Sequence, residues 1–230
     1  GVNTNGVLGR GDNLSTTTLV QVRDIDDASD HSGGADHHCA VRSGGQVWCW
    51  GNNGHGELGT GNETKSNVPV RAGTLTLVEE VAARKWGTCA RRQDGTVWCW
   101  GYGGNGANGD GTWDDRSAPV QVGGVNGAVS LGGGLRHACV LNNDGTVACW
   151  GHSGYAESTN VENRRSSYRS VQTVANVSDA VELSVGGQGG CVRKADGRVW
   201  CWGYNYQGQA GNDTHAHHYI SGDPVTGLVN

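Results

Sequence analysis

Phenylalanine and methionine are both absent from this chain of 230 residues. A conventional core is built largely from Leu, Ile, Phe and Met, so burial here must come from Val, Trp, Ala, Leu and cystine. What the chain has instead is 41 glycines, 9 tryptophans and 8 cysteines. This composition favours small units that pack against their neighbours, rather than one large continuous core.

Basic charge is also scarce. The 17 lysines and arginines are outnumbered by 22 acidic residues, which gives a net charge of −5. A nucleic-acid binder needs a basic surface that displaces counterions, so we expect no nucleic-acid partner. No run of residues is long and apolar enough to cross a bilayer, so membrane insertion is not expected. The start at Gly1, without a signal peptide, is typical of a processed or partial chain.

A Cys-Trp-Gly motif recurs along the chain with spacings of 50, 50 and 52 residues, and each copy has a second cysteine ten residues earlier. A turn signal such as Gln93-Asp94-Gly95 lies between the two cysteines. A three-residue hairpin loop that ends in a left-handed glycine pairs Cys89 with Cys99 across the two strands. A two-residue Asp-Gly turn would place Cys89 opposite Trp100 instead.

All four repeats give the register of the three-residue loop. In this register the two cysteines face each other closely enough to form a disulfide. Zinc ligands are usually two to four residues apart, which these pairs are not. Four disulfides are therefore predicted: Cys39–Cys49, Cys89–Cys99, Cys139–Cys149 and Cys191–Cys201. Disulfides persist in oxidising compartments, so the protein is expected to be secreted and extracellular.

Two further strand-like segments precede each hairpin. One is a Pro/Val run such as 118–122, and the other is an alternating run such as 128–131. Four short strands per fifty residues predict a blade of a β-propeller.

The segments that follow the Cys-Trp pairs carry a family resemblance. Residues 1–11, 51–61 and, more weakly, 203–213, together with hairpins such as 136–151, resemble the regulator of chromosome condensation (RCC1) repeat family over essentially the whole chain. The resemblance implies an all-β propeller of four-stranded antiparallel blades, usually seven. Members include an exchange factor for a small GTPase, a plant photoreceptor and a β-lactamase inhibitor, so the fold alone does not settle function.

The repeat count predicts an open ring. We expect a single domain, 1–230, with repeat units 1–50, 51–100, 101–150 and 151–202 and a half unit 203–230, about four and a half repeats in all. Only a closed barrel or ring leaves no strand edge unprotected, so this chain is expected to form either part of a longer propeller or a ring completed by a partner chain.

Several residues are candidates for binding. Tryptophans at the repeat positions are expected to pack between blades, whereas aromatic residues elsewhere are candidates for a binding surface. These candidates are Trp86, Trp113, Tyr102, Tyr155, Tyr204 and Tyr206. Four sequons, Asn13, Asn62, Asn176 and Asn212, are glycosylation acceptors if the source is eukaryotic.

Histidines give only weak metal candidates. His215, His217 and His218 cluster in one loop, and His31 and His37 lie among acidic residues. Either group could bind a divalent metal, but solvated loops are the favoured interpretation, and no metal or cofactor is expected. His31 occupies the repeat position of Val81, Leu131 and Leu183, which indicates that its strand lies at an open edge or an interface.

No catalytic constellation stands out from the repeat background. The sequence therefore predicts a non-enzymatic, secreted scaffold that binds other protein chains as part of a larger extracellular assembly. Two alternatives remain open: a lectin-like glycan binder that uses Trp113, and an inhibitor that inserts its propeller face into an enzyme's cleft.

Overall fold

The computed structural model describes residues 1–154, 166–211 and 225, which form four antiparallel sheets. Each sheet is a blade whose strands lie side by side in chain order. Blade 1 contains β1 (Ala28–Gly33), β2 (His37–Arg42), β3 (Gln46–Gly51) and β4 (Ser66–Arg71). Blade 2 contains β5 (Val78–Arg84), β6 (Gly87–Arg92), β7 (Val97–Gly101) and β8 (Arg116–Gln121). Blade 3 contains β9 (Ala128–Gly133), β10 (His137–Asn142), β11 (Val147–Ser153) and β12 (Ser166–Thr173). Blade 4 contains β13 (Ala180–Gly186), β14 (Gly189–Lys194) and β15 (Val199–Gly203).

The prediction of an all-β propeller with antiparallel blades is confirmed. The blades are offset from the sequence period, since blade 1 uses the end of unit 1–50 and the start of unit 51–100. In blade 4, the amide of Val225 donates to the carbonyl of Val199 at 2.8 Å. Val122 makes the same bond to Val97 just after β8, so Val225 lies where an outermost strand ends. No helix in the described part of the chain is long and apolar enough to span a membrane.

The hairpin register is also as predicted. In blade 2 the amide of Arg92 donates to the carbonyl of Thr96 at 2.9 Å, and Gly95 has a φ of +75°. Cys89 then faces Cys99 in the ladder. The other three hairpins repeat this arrangement, and all four predicted disulfides are formed.

The core lies between blades rather than inside them. At the first interface, Cys39, Val41 and Val47 of blade 1 pack against Val81 and Trp100 of blade 2. The next two interfaces repeat this pattern of a disulfide face against a tryptophan face. The three tryptophans at these interfaces, and Trp50 at the equivalent position of blade 1, are at most 4% exposed: Trp50, Trp100, Trp150 and Trp202. Each blade therefore depends on its neighbours for burial, as the sparse apolar composition predicts.

A glycine-rich linker closes over each interface tryptophan. The indole Nε1 of Trp100 donates to the carbonyl of Glu57 at 2.7 Å, and that of Trp50 donates to Val7 at 2.9 Å. A Cβ on Gly59 would lie only 2.9 Å from the Trp100 Nε1 atom, and Gly59 has a φ of +69°. Only glycine satisfies both constraints. Residues 1–11 therefore cover blade 1 as the linker of a preceding blade would.

Candidate binding face at the blade tips

The loops between the first two strands of each blade, here called the tip loops, define one face of the propeller. In every blade, a residue of the tip loop accepts a backbone hydrogen bond, at 2.7 to 2.9 Å, from the residue that follows the Cys-Trp-Gly motif. Four side-chain pairs are brought together in this way and form what we call the tip face: Asp36 and Asn52, Trp86 and Tyr102, Arg136 and His152, and Gln188 and Tyr204. The backbone frame is the same four times, but the side chains differ in every blade.

The tip loops are also bonded to one another. The amide of Ala35 donates to Lys85 (3.3 Å), that of Lys85 to Leu135 (3.2 Å), and that of Leu135 to Gly187 (2.8 Å). This continuous row of hydrogen bonds fixes the four loops side by side. The tip face is therefore a preorganised surface.

Aromatic and basic side chains converge around Trp86. Its ring lies 5.5 Å from that of Tyr102, edge to face, and Tyr102 lies 5.1 Å from His55. The Lys85 Nζ is 4.2 Å from the Trp86 ring centroid, and the Arg136 Cζ is 5.0 Å from it. Both distances fall within the range of cation–π attraction. We call these five residues the Trp86 cluster.

Two adjoining cavities open beside the cluster. The first, of about 270 Å³, is lined by Lys85, Arg136, His137 and His152 and by three residues that it shares with the second. The shared residues are Leu135, Gly187 and Gln188. The second cavity, of about 430 Å³, is mainly apolar and extends over the Cys191–Cys201 disulfide and Trp202. Leu135, which is 41% exposed, lies at the boundary between a basic half and an apolar half.

The buried side chains of His37 and Arg84 lie beneath the tip loops of blades 1 and 2. His37 is 1% exposed, and its Nε2 lies 2.9 Å from the Thr88 Oγ1. Burial, with smaller contributions from His38 and Arg84, lowers the pKa of His37 to about 3, so it is neutral at physiological pH. Arg84 is 2% exposed and donates to the Trp100 carbonyl and to Asn108. Burial lowers its pKa to about 10, which leaves it charged.

The aromatic residues singled out in the sequence fall into separate groups. Trp86 and Tyr102 meet in the Trp86 cluster. Tyr204 and Tyr206 form a second pair on blade 4, with ring centroids 6.5 Å apart. Trp113, on the loop between β7 and β8, is 47% exposed. Tyr155 lies outside the described residues.

The histidine and sequon candidates remain predictions. His31 is exposed on β1, whereas His37 is buried at the interface with blade 2, so the structure does not bring these two together. In the described part of the chain, no three His, Cys, Asp or Glu side chains are grouped as metal ligands. Asn13, Asn62 and Asn176 are exposed. His215, His217, His218 and Asn212 lie outside the described residues.

Sequence reasoning missed Lys85, Arg136 and His55. A signal for the first two was present: positions 85–86 and 135–136 lie at the same distance before the first cysteine of their repeats but differ in residue type from blade to blade. Comparing repeats for their differences, rather than their shared residues, would have marked these positions.

The sequence profile described as the regulator of chromosome condensation (RCC1) repeat matches residues 44–90. A second profile of the same description matches residues 28–57 and 180–209. No curated protein sequence shows significant similarity to the chain.

Solved structures share the fold. Human WBSCR16 superposes with a TM-score of 0.85 at 21% identity, over 97% of this chain and 61% of that protein. Yeast RCC1 (Prp20) bound to Kap60 gives 0.71 at 17% identity, over 86% and 48%. Prp20p from Saccharomyces cerevisiae, whose binding to Gsp1p and histones was studied, gives 0.72 at 18% identity, over 86% and 50%. The chain therefore spans about half to three fifths of the length of these proteins.

Proposed function

Because this chain is built from RCC1-type repeats on a propeller fold, we propose that it is a non-enzymatic scaffold that binds another protein through its tip face. The observation that carries the proposal is a fixed, hydrogen-bonded frame whose side chains change in every blade. If the tip face served folding alone, its side chains would not need to differ between blades. A surface that recognises a partner does need such differences.

The Trp86 cluster is the expected centre of that surface. Tryptophan, tyrosine and arginine supply most hot-spot energy at protein interfaces, and all three are present there. The hydrogen bonds between tip loops hold these residues in place before binding, which lowers the entropy lost on association. Prp20, a protein of the same fold, is seen bound to another protein, Kap60, which supports a protein as the partner class.

Secretion is part of the proposal. Four disulfides fit an oxidising compartment better than the cytosol. We propose that the protein acts outside the cell, where exposed Asn13, Asn62 and Asn176 can carry glycans if the source is eukaryotic.

The test is capture of partners from the extracellular fraction of the source organism by the immobilised chain, followed by calorimetry with each partner found. Trp86→Ala should weaken binding by about tenfold or more, the effect of losing an interface hot spot. Trp113→Ala is the matched control, because it removes an exposed tryptophan outside the tip face, and it should change affinity less than about twofold.

The opposite ranking would overturn the proposal. If binding to free sugars is detected and Trp113→Ala abolishes it while Trp86→Ala has no effect, the glycan-binding alternative holds instead. Circular dichroism melting of both variants separates a binding defect from a folding defect.

A second candidate role is participation in an assembly through the exposed disulfide face of blade 4. At the first interface, Asp30 and Ser32 of β1 accept the amides of Val81 and Ala83 at 2.7 and 2.9 Å. At the second interface, Glu80 of β5 accepts the amide of Leu131 at 2.9 Å. Blades 1 and 2 therefore present acceptors to the innermost strand of the next blade.

Blade 4 carries the same acceptors with no blade beyond them in the described chain. Glu182 pairs with Arg193 in the ladder as Glu80 does with Arg91, and Ser184 pairs with Cys191 as Ser32 does with Cys39. The Glu182 side chain is 64% exposed. We propose that this face docks the innermost strand of a further blade of the same type, which would extend the ring.

A further inference from the structure

The cations of the Trp86 cluster point to the chemistry of the partner. Most arginines of this acidic chain are paired with its own carboxylates, as in Arg42–Asp27 (2.6 Å) and Arg116–Asp110 (2.7 Å). Lys85 and Arg136, in contrast, each lie against the Trp86 ring and form no ion pair within the described part of the chain. The two cations are left available for an external anion.

The two cations share one concave site. Both line the 270 Å³ cavity together with His137 and His152, and none of the lining residues is acidic. Two carboxylates contact His55 of the cluster: that of Asp115, which also accepts the amide of Gly103, and that of Glu57, which accepts the amide of His55. A concave site lined with charge of one sign attracts the opposite charge over several ångströms.

The adjoining cavity adds a requirement for apolar surface. It shares Leu135, Gly187 and Gln188 with the basic cavity and continues over Trp202 and Ala210. A ligand that fills both cavities must carry an anionic group and an apolar group a few ångströms apart. Side chains two residues apart on an extended peptide meet this requirement, because they point to the same side.

From this geometry we infer that the tip face recognises an extended acidic segment of a partner protein. A glutamate or aspartate carboxylate lies between Lys85 and Arg136, and an apolar side chain two residues away enters the cavity over Trp202. Planar guanidinium groups favour carboxylates through paired hydrogen bonds, and the Lys85 ammonium supplies the second charge. This inference rests on the proposed function and specifies the partner's chemistry.

The test uses fluorescein-labelled peptides and the intact chain, with binding followed by fluorescence polarisation. The probe is Ser-Glu-Ser-Leu-Ser. One comparison peptide has Gln for Glu, a second has Ser for Leu, and a third has phosphoserine for Glu. The Gln peptide should bind at least about tenfold more weakly, because charge-assisted hydrogen bonds are lost. Binding of the probe should also weaken as salt is added.

Variants locate the site. The double variant Lys85→Gln/Arg136→Gln should weaken binding of the probe by about tenfold or more. The matched control, Lys65→Gln/Arg71→Gln, removes two exposed cations outside the tip face and should leave affinity within about twofold. Melting curves confirm that both variants fold.

Four results would overturn the inference: no binding of the probe, equal binding of the Glu and Gln peptides, binding of the phosphoserine peptide alone, or an unaffected Lys85→Gln/Arg136→Gln variant. If partner capture still depends on Trp86 after any of these results, the proposed function stands and only the acidic-segment assignment falls. If the probe binds but no protein is captured through Trp86, the proposed function is the part that fails.

Discussion

At the scale of single residues, the space under the tip loop of blades 1 to 3 holds one large side chain, but the position that supplies it changes. Blades 1 and 3 have Gly34 with His37, and Gly134 with His137, and a Cβ on either glycine would overlap the histidine ring. Blade 2 reverses the pair: Arg84 stands at the glycine position, and Gly87 stands at the histidine position. A Cβ on Gly87 would lie 2.6 Å from the Arg84 Nη2.

A third residue adapts to this reversal. Asn108, which occupies the repeat position of Leu58, accepts a hydrogen bond from the Arg84 Nη2 at 2.9 Å. A buried guanidinium is costly unless its hydrogen bonds are satisfied. The three residues of blade 2 therefore form a coupled set.

This coupling predicts non-additive effects on stability, measured by urea unfolding. Arg84→Gly should lower the free energy of unfolding by about 2–4 kcal/mol, since it leaves a cavity and removes two hydrogen bonds. Gly87→His alone should also destabilise, because the ring would overlap Arg84. The double variant Arg84→Gly/Gly87→His recreates the arrangement of blade 1, and it should be more stable than the sum of the single effects by about 1–3 kcal/mol. Simple additivity would show that the two positions do not share this space.

At the scale of elements, the four disulfide-linked hairpins share the same cysteine spacing, but their disulfides are unequally protected from solvent. The six cysteines of blades 1 to 3 are 0% exposed because the following blade covers them. Cys191 and Cys201 of blade 4 are half-buried and line the 430 Å³ cavity. Each disulfide closes a loop of similar length and should contribute about 3 kcal/mol by the loop-entropy estimate, so exposure rather than loop length distinguishes them.

We therefore expect selective reduction of the fourth hairpin under native conditions. Treatment with dithiothreitol followed by alkylation and mass spectrometry should label Cys191 and Cys201 at least about tenfold faster than the other six, which become accessible only when blades separate. Equal labelling of all eight cysteines would mean that the blades separate in one cooperative step. Faster labelling of another pair would mean that the blade 4 disulfide is better protected than that pair.

At the scale of the whole molecule, burial is uneven from one end of the array to the other. His31, at the first end, is exposed, while Val81 and Leu131 at the same repeat position are 4% and 6% exposed. At the other end, Leu183 at this repeat position is half-buried, and within the described residues Cys191 and Cys201 line an open cavity. Large exposed apolar surfaces with polar acceptors beside them are typical of interfaces.

If blade 4 docks a further blade, the acceptors that repeat the inner interfaces should control association. Sedimentation velocity of the chain over a range of concentrations should show reversible assembly. Glu182→Ala/Ser184→Ala should weaken the assembly about 10–100-fold, the loss expected for a charged hydrogen bond and a neutral one. Glu63→Ala, an exposed glutamate in the linker between β3 and β4, is the control of equal charge. A chain that stays monomeric at every concentration would remove the support for assembly through this face.

Repetition explains how much was predictable from the sequence. The turn at Gln93-Asp94-Gly95 and the fixed cysteine spacing set the register in which Cys89 faces Cys99, because a hairpin's loop length determines its pairing. The sequence also placed strands around Pro69 and Pro119, but it grouped each with the hairpin that follows, whereas each pairs with the preceding hairpin as an edge strand, where proline is tolerated. Trp86 and Tyr102 were identified as candidates because they are aromatic residues outside the repeat positions that pack between blades.

The sequence alone thus determined the blade and the disulfide pairing, because both follow from contacts between residues close in the chain. Only the tertiary structure decided the tip face. Lys85 and Arg136 are about fifty residues apart in sequence, and they meet at one indole because neighbouring tip loops are hydrogen-bonded side by side. The same holds for the protection of each disulfide, which depends on whether a blade follows it. The make-up of the tip face and the protection of each disulfide both depend on which blades are neighbours in the propeller, and not on separation in the sequence.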